Sequence, residues 1–399
     1  MVRWHIAVQR RAADQRVKRF TGAAFAAMVF VMTPIQACAG SPEFAYSAEK
    51  WAALRDDKLE YGEIADLVHE YNNTVIQNQI AYKEEKDDDR DDVAQDYYDR
   101  ANEIYDNITY PDSDDANYGS QMAAALQNEQ QAEALMKQGD ESTDDSETKK
   151  LGYDKTEASL VKQAQGLMIT YWNQYYSLDS QREKKTQAEA SYQSEQNKFA
   201  AGTSTQAKVL SAKEAVSKAE ASILSGESSL EKTKESLCLM LGWTYGSDVE
   251  IGELPEPDMD RIAATNVDAD IQTALDNNYT YRITKKQLAN ARTTSVKEKM
   301  TQTEKNQREA ISTNVKAAYS SLILARSNYE QALQALELER ANLASAENKL
   351  QAGTITRTSY QNQQSACLTA EVTVRTRKLD LLQALVDYDW AVGGLAAVS

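Results

Sequence analysis

Two histidines, three cysteines and 61 carboxylates are the side chains of this chain with the power to do chemistry. His5 sits in the opening segment and His69 stands alone in a helical pattern, so neither meets a second ligand at metal-site spacing. Cys38, Cys238 and Cys367 form no CxxC pair, and Cys367 reads as a small core residue. No G-x-S-x-G, phosphate loop, H-E-x-x-H or dinucleotide fingerprint is present. The carboxylates fall on helix faces, without an apolar pocket that would shift their pKa. These observations point away from an enzyme and imply no cofactor and no metal. The 21 tyrosines read as seam and interface fillers, whose rings pack while the hydroxyl reaches water; contact with wall carbohydrate is their other possible use.

Composition turns attention to the elements. With 5 prolines and 15 glycines among 399 residues, and with Ala, Gln, Glu, Lys and Leu abundant, the chain is built for long helices. Net charge is -17. Residues 1–39 hold six Lys/Arg and one Asp, so the remainder carries 38 minus 60, or -22. A chain so acidic repels nucleic acid and favours basic partners or cationic solutes. Most of its acids are expected to solvate long helix faces.

One stretch occurs twice, 151 residues apart: Asn197–Gly242 and Asn348–Gly393. Lys198, Ala201, Gly202, Thr203 and Thr205 meet Lys349, Ala352, Gly353, Thr354 and Thr356; Leu230 meets Leu381 and Gly242 meets Gly393. Such a match is an internal duplication. Around it the apolar residues keep a heptad. Val315, Leu322, Tyr329, Leu336, Leu343 and Leu350 lie seven apart, with Ala318, Ala325 and Ala332 in the column three residues on. The earlier copy keeps this seam with a break at Lys185. The following runs do the same at Val209, Val216, Ile223, Leu230 and Leu237, and at Tyr360, Cys367, Val374, Leu381 and Tyr388. Large and small residues alternating at this period predict tight left-handed coiled coils. Each first run, the earlier from about Tyr153, covers about 40 residues, roughly 60 Å. Gly202 and Gly353 are its left-handed stops. Thr203 or Ser204, and Thr354 or Thr356, are placed to cap the next helix, and Thr203 with Gln206 has capping-box spacing. The fold class is therefore all-α: two tandem repeats of long antiparallel coiled-coil hairpins.

In chain order, residues 1–39 read as a signal peptide: a basic stretch (Arg10, Arg11, Arg16, Lys18, Arg19), an apolar run from Gly22 to Met32, and Ala37-Cys38-Ala39 as a cleavage site. Ile35-Gln36-Ala37-Cys38 also resembles a lipobox, which would leave Cys38 as a lipid anchor. Residues 40–242 form the first hairpin repeat. It includes a helix from about Ile64 towards Asn107 and an acidic insert at 107–150, whose segment 139–150 reads as a flexible loop. Residues 243–267 link the repeats, with Pro255 and Pro257 as breakers and a short strand-like alternation at Val249, Ile251 and Leu254. Residues 268–399 form the second repeat, in which Ile271, Leu275 and Ile283 echo Ile64, Val68 and Ile76.

This arrangement resembles the TolC-like outer-membrane efflux family over about residues 60–395. The likeness is carried by Gly202-Thr203-Ser204-Thr205 before Val209-Leu210, and by Gly353-Thr354-Ile355-Thr356 before Tyr360. Leu241-Gly242 and Val392-Gly393 fit as well. The resemblance implies three chains forming a tapered helical tunnel in the cell envelope. It implies hairpin tips (Gly202, Thr203, Thr205 and Lys208; Gly353, Thr354, Thr356 and Arg357) that meet a membrane-fusion adaptor protein of an inner pump. It also implies an outer-membrane β-barrel inserted in each half. Two features depart from the family. The acid usual six residues after the tip glycine is Lys208 in one copy and Ser359 in the other. No stretch between Ile271 and Val315, or between Ile64 and Ala164, alternates as membrane strands do, so little or no barrel is expected.

Two functions follow. One is a passive conduit for efflux or secretion, gated at the tips, with acids around the ring setting solute preference. The other is an exported coiled-coil rod without a lumen that binds a partner at the surface.

Overall fold

The computed structural model describes residues 46–398. The leader and Cys38 lie outside the described residues. A short lead-in gives helix α1 (Ala48–Ala53), strand β1 (Lys58–Leu59) and a 3-10 turn (Tyr61–Glu63). Helices α2 (Ile64–Tyr71), α3 (Asn73–Glu85), α4 (Arg90–Asp106) and α5 (Tyr118–Glu141) follow. Then comes the first long hairpin, α6 (Ser146–Ala200) and α7 (Gln206–Met240). Strand β2 (Glu250–Ile251) and α8 (Met259–Ala264) lead to α9 (Val267–Asn277) and α10 (Tyr279–Asn290). The second long hairpin is α11 (Thr294–Gln351) and α12 (Arg357–Trp390), which ends in a π-helical turn (Ala391–Leu395).

The ascending helices are longer than their heptads suggest. α6 has 55 residues and α11 has 58, roughly 80–90 Å at 1.5 Å per residue. α6 starts at Ser146 rather than near Tyr153, because Asp145 and Thr148 form a capping box that nucleates it early. α7 and α12 have 35 and 34 residues, so each leaves the upper part of its partner uncovered. Two shorter helices fill each gap. α2 and α3 pack on α6, and α9 and α10 pack on α11.

The helix expected to run from Ile64 to Asn107 is broken twice. Residues 86–89 are a turn, closed by the Asp89 cap of α4. The other break is at Asn72, whose extended backbone (φ -72°, ψ 122°) ends α2 and starts α3. Its Oδ1 accepts from Thr74 N at 3.0 Å, and its Nδ2 donates to Met240 O at 2.9 Å, the end of α7. Asn278 does the same in the second half, accepting from Tyr281 N at 3.0 Å and donating to Ala396 O at 2.9 Å. Both side chains are buried. One amide thus caps a helix and stitches it to the end of the next segment, so no polar atom there is left dry.

The segment 139–150 is not a loop. α5 reaches Glu141 and α6 begins at Ser146, leaving only 142–145 between them. α4 and α5 form a hairpin whose seam is Ala94 and Ala101 against Ala125, Ala132 and Gly139. Seam residues this small let the backbones close in; a Cβ on Gly139 would stand 2.3 Å from Tyr98 Cε1. Arg90 ties off the hairpin, donating to the carbonyls of Gly139 (2.8 Å), Asp140 (3.0 Å) and Ser142 (2.9 Å).

The junction of α10 and α11 docks at the base of this hairpin. Asn290 Nδ2 donates to Thr143 O at 2.9 Å and to Asp145 Oδ2 at 2.8 Å, Lys286 pairs with Asp145 and Glu147, and Arg292 pairs with Asp91. Burial alone would raise the Asp145 pKa, but the bonds from Asn290 and Thr148 and the nearby Lys286 outweigh it and hold the carboxyl below its usual range.

In the places where barrel strands would be inserted, the chain therefore has the α4–α5 hairpin in one half and the three-residue turn 291–293 in the other. The strands among the described residues are β1 and β2, paired in parallel over two residues each, and they close no barrel. None of the described helices is long and apolar enough to cross a membrane.

Three apolar clusters hold the unit. The first joins Ile64, Leu67 and Val68 of α2 to Ala164, Met168 and Leu237. The second joins Ile271, Ala274 and Leu275 of α9 to Ile311, Val315 and Leu381. The third lies between the hairpins, where Ile169 of α6 meets Leu379, Leu382 and Val386 of α12. The long helices thus form a layer in the order α7, α6, α12, α11.

Candidate functional site at the hairpin tips

The two tips are built by the same bonds. Gly202 (φ 72°) and Gly353 (φ 67°) take the left-handed conformation that ends an α-helix without a Cβ clash. In the first tip, Gly202 N donates to Phe199 O at 2.9 Å and Thr203 N to Lys198 O at 2.8 Å. In the second, Gly353 N donates to Leu350 O at 3.0 Å and Thr354 N to Lys349 O at 2.9 Å. Each is a Schellman closure.

Thr203 does not cap the descending helix, and the Thr203–Gln206 box does not form. Its Oγ1 turns back and donates to Lys198 O at 3.0 Å, as Thr354 Oγ1 does to Lys349 O at 3.0 Å. The caps are Thr205, which accepts from Lys208 N at 3.4 Å, and Thr356, which accepts from Ser359 N at 3.2 Å. After a Schellman turn the chain needs two more residues to reverse, so the cap falls on the second threonine. The Thr-x-Thr spacing was the signal: the earlier hydroxyl finishes one helix and the later one starts the next.

Gly202, Thr203, Thr205 and Lys208 come together in the first tip, and Gly353, Thr354, Thr356 and Arg357 in the second; all but Ile355 and Ser204 of the two turns are exposed. Ser204 Oγ donates to Glu195 Oε2 at 2.6 Å. Lys198 pairs with the same carboxylate at 2.7 Å, and these bonds, Lys198 first, lower the Glu195 pKa. Lys208, Lys349 and Arg357 make no ion pair among the described residues. Phe199 and Leu210 flank the first tip with 47% and 66% of their surface exposed. The cross-hairpin hydrogen bond nearest the tips runs from Ser365 Oγ to Glu183 Oε1, at 2.9 Å. Glu183 is 19 residues before Gly202 and Ser365 is 12 residues after Gly353, so the first tip extends roughly 28 Å beyond that bond and the second roughly 18 Å.

At the other end of the descending helices the duplication slips by one residue. Gly242 (φ 95°) closes α7, with Trp243 N donating to Cys238 O at 3.0 Å. Its sequence match is Gly393, yet the left-handed residue is Gly394 (φ 125°). The π-helical turn Ala391–Leu395 takes up one extra residue and moves the stop along by one. Both glycines are needed by their neighbours: a Cβ would stand 2.3 Å from Tyr71 Cβ at Gly242 and 2.7 Å from Asn277 O at Gly394.

Sequence reasoning missed the two amide staples. Asn72-Asn73 and Asn277-Asn278, each an Asn pair ahead of a new helical run, were their available signal. His69 Nδ1 lies 2.9 Å from Glu157 Oε1, which bonds α2 to α6 and raises the imidazole pKa. Among the described residues no group of three or more His, Cys, Asp or Glu is placed to hold a metal.

No protein-family model matches this chain, and no curated protein sequence matches it. Solved structures do. A membrane protein from Pseudomonas aeruginosa superposes with a TM-score of 0.55 over 84% of this chain and 90% of that one, at 12% identity. The outer-membrane channel OprN gives 0.52 over 88% and 93%, at 11% identity. CusC, described for its transmembrane channel formation, gives 0.52 over 88% and 96%, at 11% identity. The chain has a TolC-like fold: the duplicated pair of long helical hairpins, with a helical hairpin and a turn in the barrel positions.

Proposed function

We propose that this protein is the conduit of an export or efflux system in the cell envelope, working as a homotrimer through which solutes pass passively. The observation that carries this reading is a pair of open edges. In the layer α7, α6, α12, α11, the inner pair α6 and α12 is joined by Ile169, Leu379 and Leu382, by Arg375–Asp179, and by Ser365–Glu183. The duplication relates α6 to α11 and α12 to α7, 151 residues apart. The faces equivalent to that buried contact are therefore the free outer faces of α11 and α7. They carry Ile323 and Leu338 on α11 and Leu224 on α7, exposed by 36%, 61% and 70%. A second copy offering α7 to α11 would repeat the internal contact between chains, and three copies would close a ring of six hairpins.

The tips at Gly202 and Gly353 would then stand at one mouth of the ring. Thr203, Thr205, Lys208, Thr354, Thr356 and Arg357 are proposed to meet a membrane-fusion adaptor of an inner pump there, with helix pairs repacking to open the passage. A signal peptide at 1–39 would deliver the chain to the envelope.

The test uses the duplication as a ruler. The Ser365–Glu183 bond maps onto Glu214 and Gln334 by subtracting and adding 151. These residues lie on opposite edges of one chain, so the double variant Glu214→Cys with Gln334→Cys should form a disulfide only between chains. The expected result is a covalent trimer on a non-reducing gel and a trimer of the untreated protein by mass photometry. A monomer at micromolar concentration with no cross-link would leave the lumen-free rod as the better reading.

A further inference from the structure

The layer of four long helices has two chemically different faces. In heptad terms, with the seam at positions a and d, one face is made by positions g and c and the other by e and b. In an antiparallel pair the g positions of both helices share a side. Accordingly Asn173 and Ser177 of α6 and Ser222, Ser225 and Ser229 of α7 line one groove of about 680 Å³. Thr369 and Thr373 of α12 line a groove with Ala335 of α11, and another with Ser180 of α6. The g/c positions of all four helices therefore lie on one side.

From about Thr170 down to the tips, the g and c positions on the four helices hold a single acid, Asp380 of α12, which pairs with Arg377 at 2.9 Å. The other charged residues on this face are six lysines: Lys184, Lys198, Lys208, Lys218, Lys232 and Lys349. Of these, Lys198 pairs with Glu195 and Lys218 with Glu214; the other four make no ion pair among the described residues. Two seam carboxylates border the face. Glu195 is held by Lys198 and Ser204, and Glu339 accepts from Gln363 at 2.6 Å. The remaining g/c positions are Ser, Thr, Asn, Gln, Ala or Leu.

The cross-helix ion pairs are on the opposite side. Arg182–Glu227 (3.4 Å) and Arg340–Glu371 (3.0 Å) join e to e, and Glu220 at e receives Lys185 (3.2 Å). Asp179–Arg375 (3.8 Å) joins b to b. The strap between the repeats also crosses there: Trp172 Nε1 donates to Gly252 O at 2.9 Å, and Lys378 pairs with Glu256.

Two features say which face would be concave in a ring. A strap fits across the outside of a closed ring, whereas inside it would cross the bore. Side chains converge on a concave surface and spread on a convex one. The small residues Ser222, Ser225 and Gly226 are on the g/c side, while Trp172, Tyr175, Arg182 and Arg340 are on the strap side.

Resting on the conduit reading, we propose that the g/c face lines the bore, and that this lining of hydroxyls, amides and unpaired lysines passes anionic and neutral polar solutes in preference to cations. Acids around the ring, the sequence-based expectation for solute choice, lie mainly on the outer surface. A bore bordered by one sign of charge raises the local concentration of the opposite sign.

The test is thiol labelling of the purified, assembled protein, with wild type as control for the buried Cys238 and Cys367. Ser222→Cys and, independently, Thr373→Cys probe the lining; Glu227→Cys probes the strap side. Small methanethiosulfonates, one sulfonate and one quaternary ammonium, should both modify the lining cysteines. A polyethylene glycol maleimide of several kilodaltons should reach only Glu227→Cys. At the lining cysteines the sulfonate should react about fivefold faster than the ammonium, relative to the same pair on free cysteine. Adding Lys218→Glu and Lys232→Glu should reverse that preference. Polymer reaching Ser222→Cys and Thr373→Cys but not Glu227→Cys would invert the faces and overturn the proposal. So would an ammonium reagent at least as fast as the sulfonate. If mass photometry finds a monomer and the polymer labels all three sites, the conduit reading itself fails.

Discussion

At the scale of single residues, five glycines with positive φ divide into two kinds. Gly202 and Gly353 are left-handed in open space, with no atom within 4 Å of a Cβ placed there. Gly242 is left-handed against Tyr71. Substituting alanine at the tips should therefore cost only the backbone strain, about 1–2 kcal/mol. Gly242→Ala adds a forced displacement of Tyr71, beside the Asn72 staple, and should cost about 3 kcal/mol or more once overpacking is included. Urea titrations of the three variants check the ranking; equal losses would mean that Tyr71 moves aside freely. The tip glycines were legible in the sequence because a duplication prints its stops twice. The left-handed stop at Gly394, one residue past the repeat match Gly393, was not legible, because a π-helical turn leaves no mark on heptad spacing. Thr203 was misplaced as a cap for a related reason. A hydroxyl after glycine can serve the helix behind it or the one ahead, and only the Schellman geometry decides between them.

At the scale of elements, the four long helices were readable because large seam residues recur at seven along each, although Lys185 breaks the seam of α6. The breaks were not readable in the same way. Asn72 interrupts an apolar pattern that runs on through Val75 and Ile76, so periodicity alone joins α2 to α3. The α4–α5 hairpin hid for a different reason: its seam is Ala and Gly, which carry little hydrophobic signal, and its surface is rich in Asp and Glu. It is held shut at its base by Arg90, whose guanidinium is buried and bound to three carbonyls near the end of α5. A cation at a helix C-terminus satisfies orphan acceptors and meets the negative end of the dipole. Arg90→Met keeps the stem and removes those bonds, and charge-assisted bonds of this kind stabilise by about 1.5–3 kcal/mol. The expected outcome is local. Amide exchange should accelerate across 90–141 while the seams of α6 and α11 keep their protection. Loss of protection throughout would show that the hairpin and the long helices unfold together.

At the scale of the whole molecule, the sequence gives a charge of -22 beyond residue 39, and the fold distributes it. The α7 edge that would meet a neighbouring copy carries Glu214, Glu231 and Glu235, while the facing α11 edge carries Lys316, Glu330 and Glu337 among Ser and Gln. Contact between copies of such an edge draws little from ion pairs, and its attraction must come from Leu224, Ile323, Leu338 and the small residues around them. Bringing three acidic chains together then costs long-range repulsion. Salt screens it, since the Debye length falls from about 30 Å at 0.01 M to about 10 Å at 0.1 M. Apolar contact is not weakened over that range. The trimer should therefore be favoured as salt rises from about 0.01 M to 0.1 M, with its dissociation midpoint moving to lower protein concentration by about tenfold or more, as read by mass photometry across a dilution series. Dissociation promoted by salt would mean that attraction between unlike charges holds the copies together, through an edge other than α7 against α11.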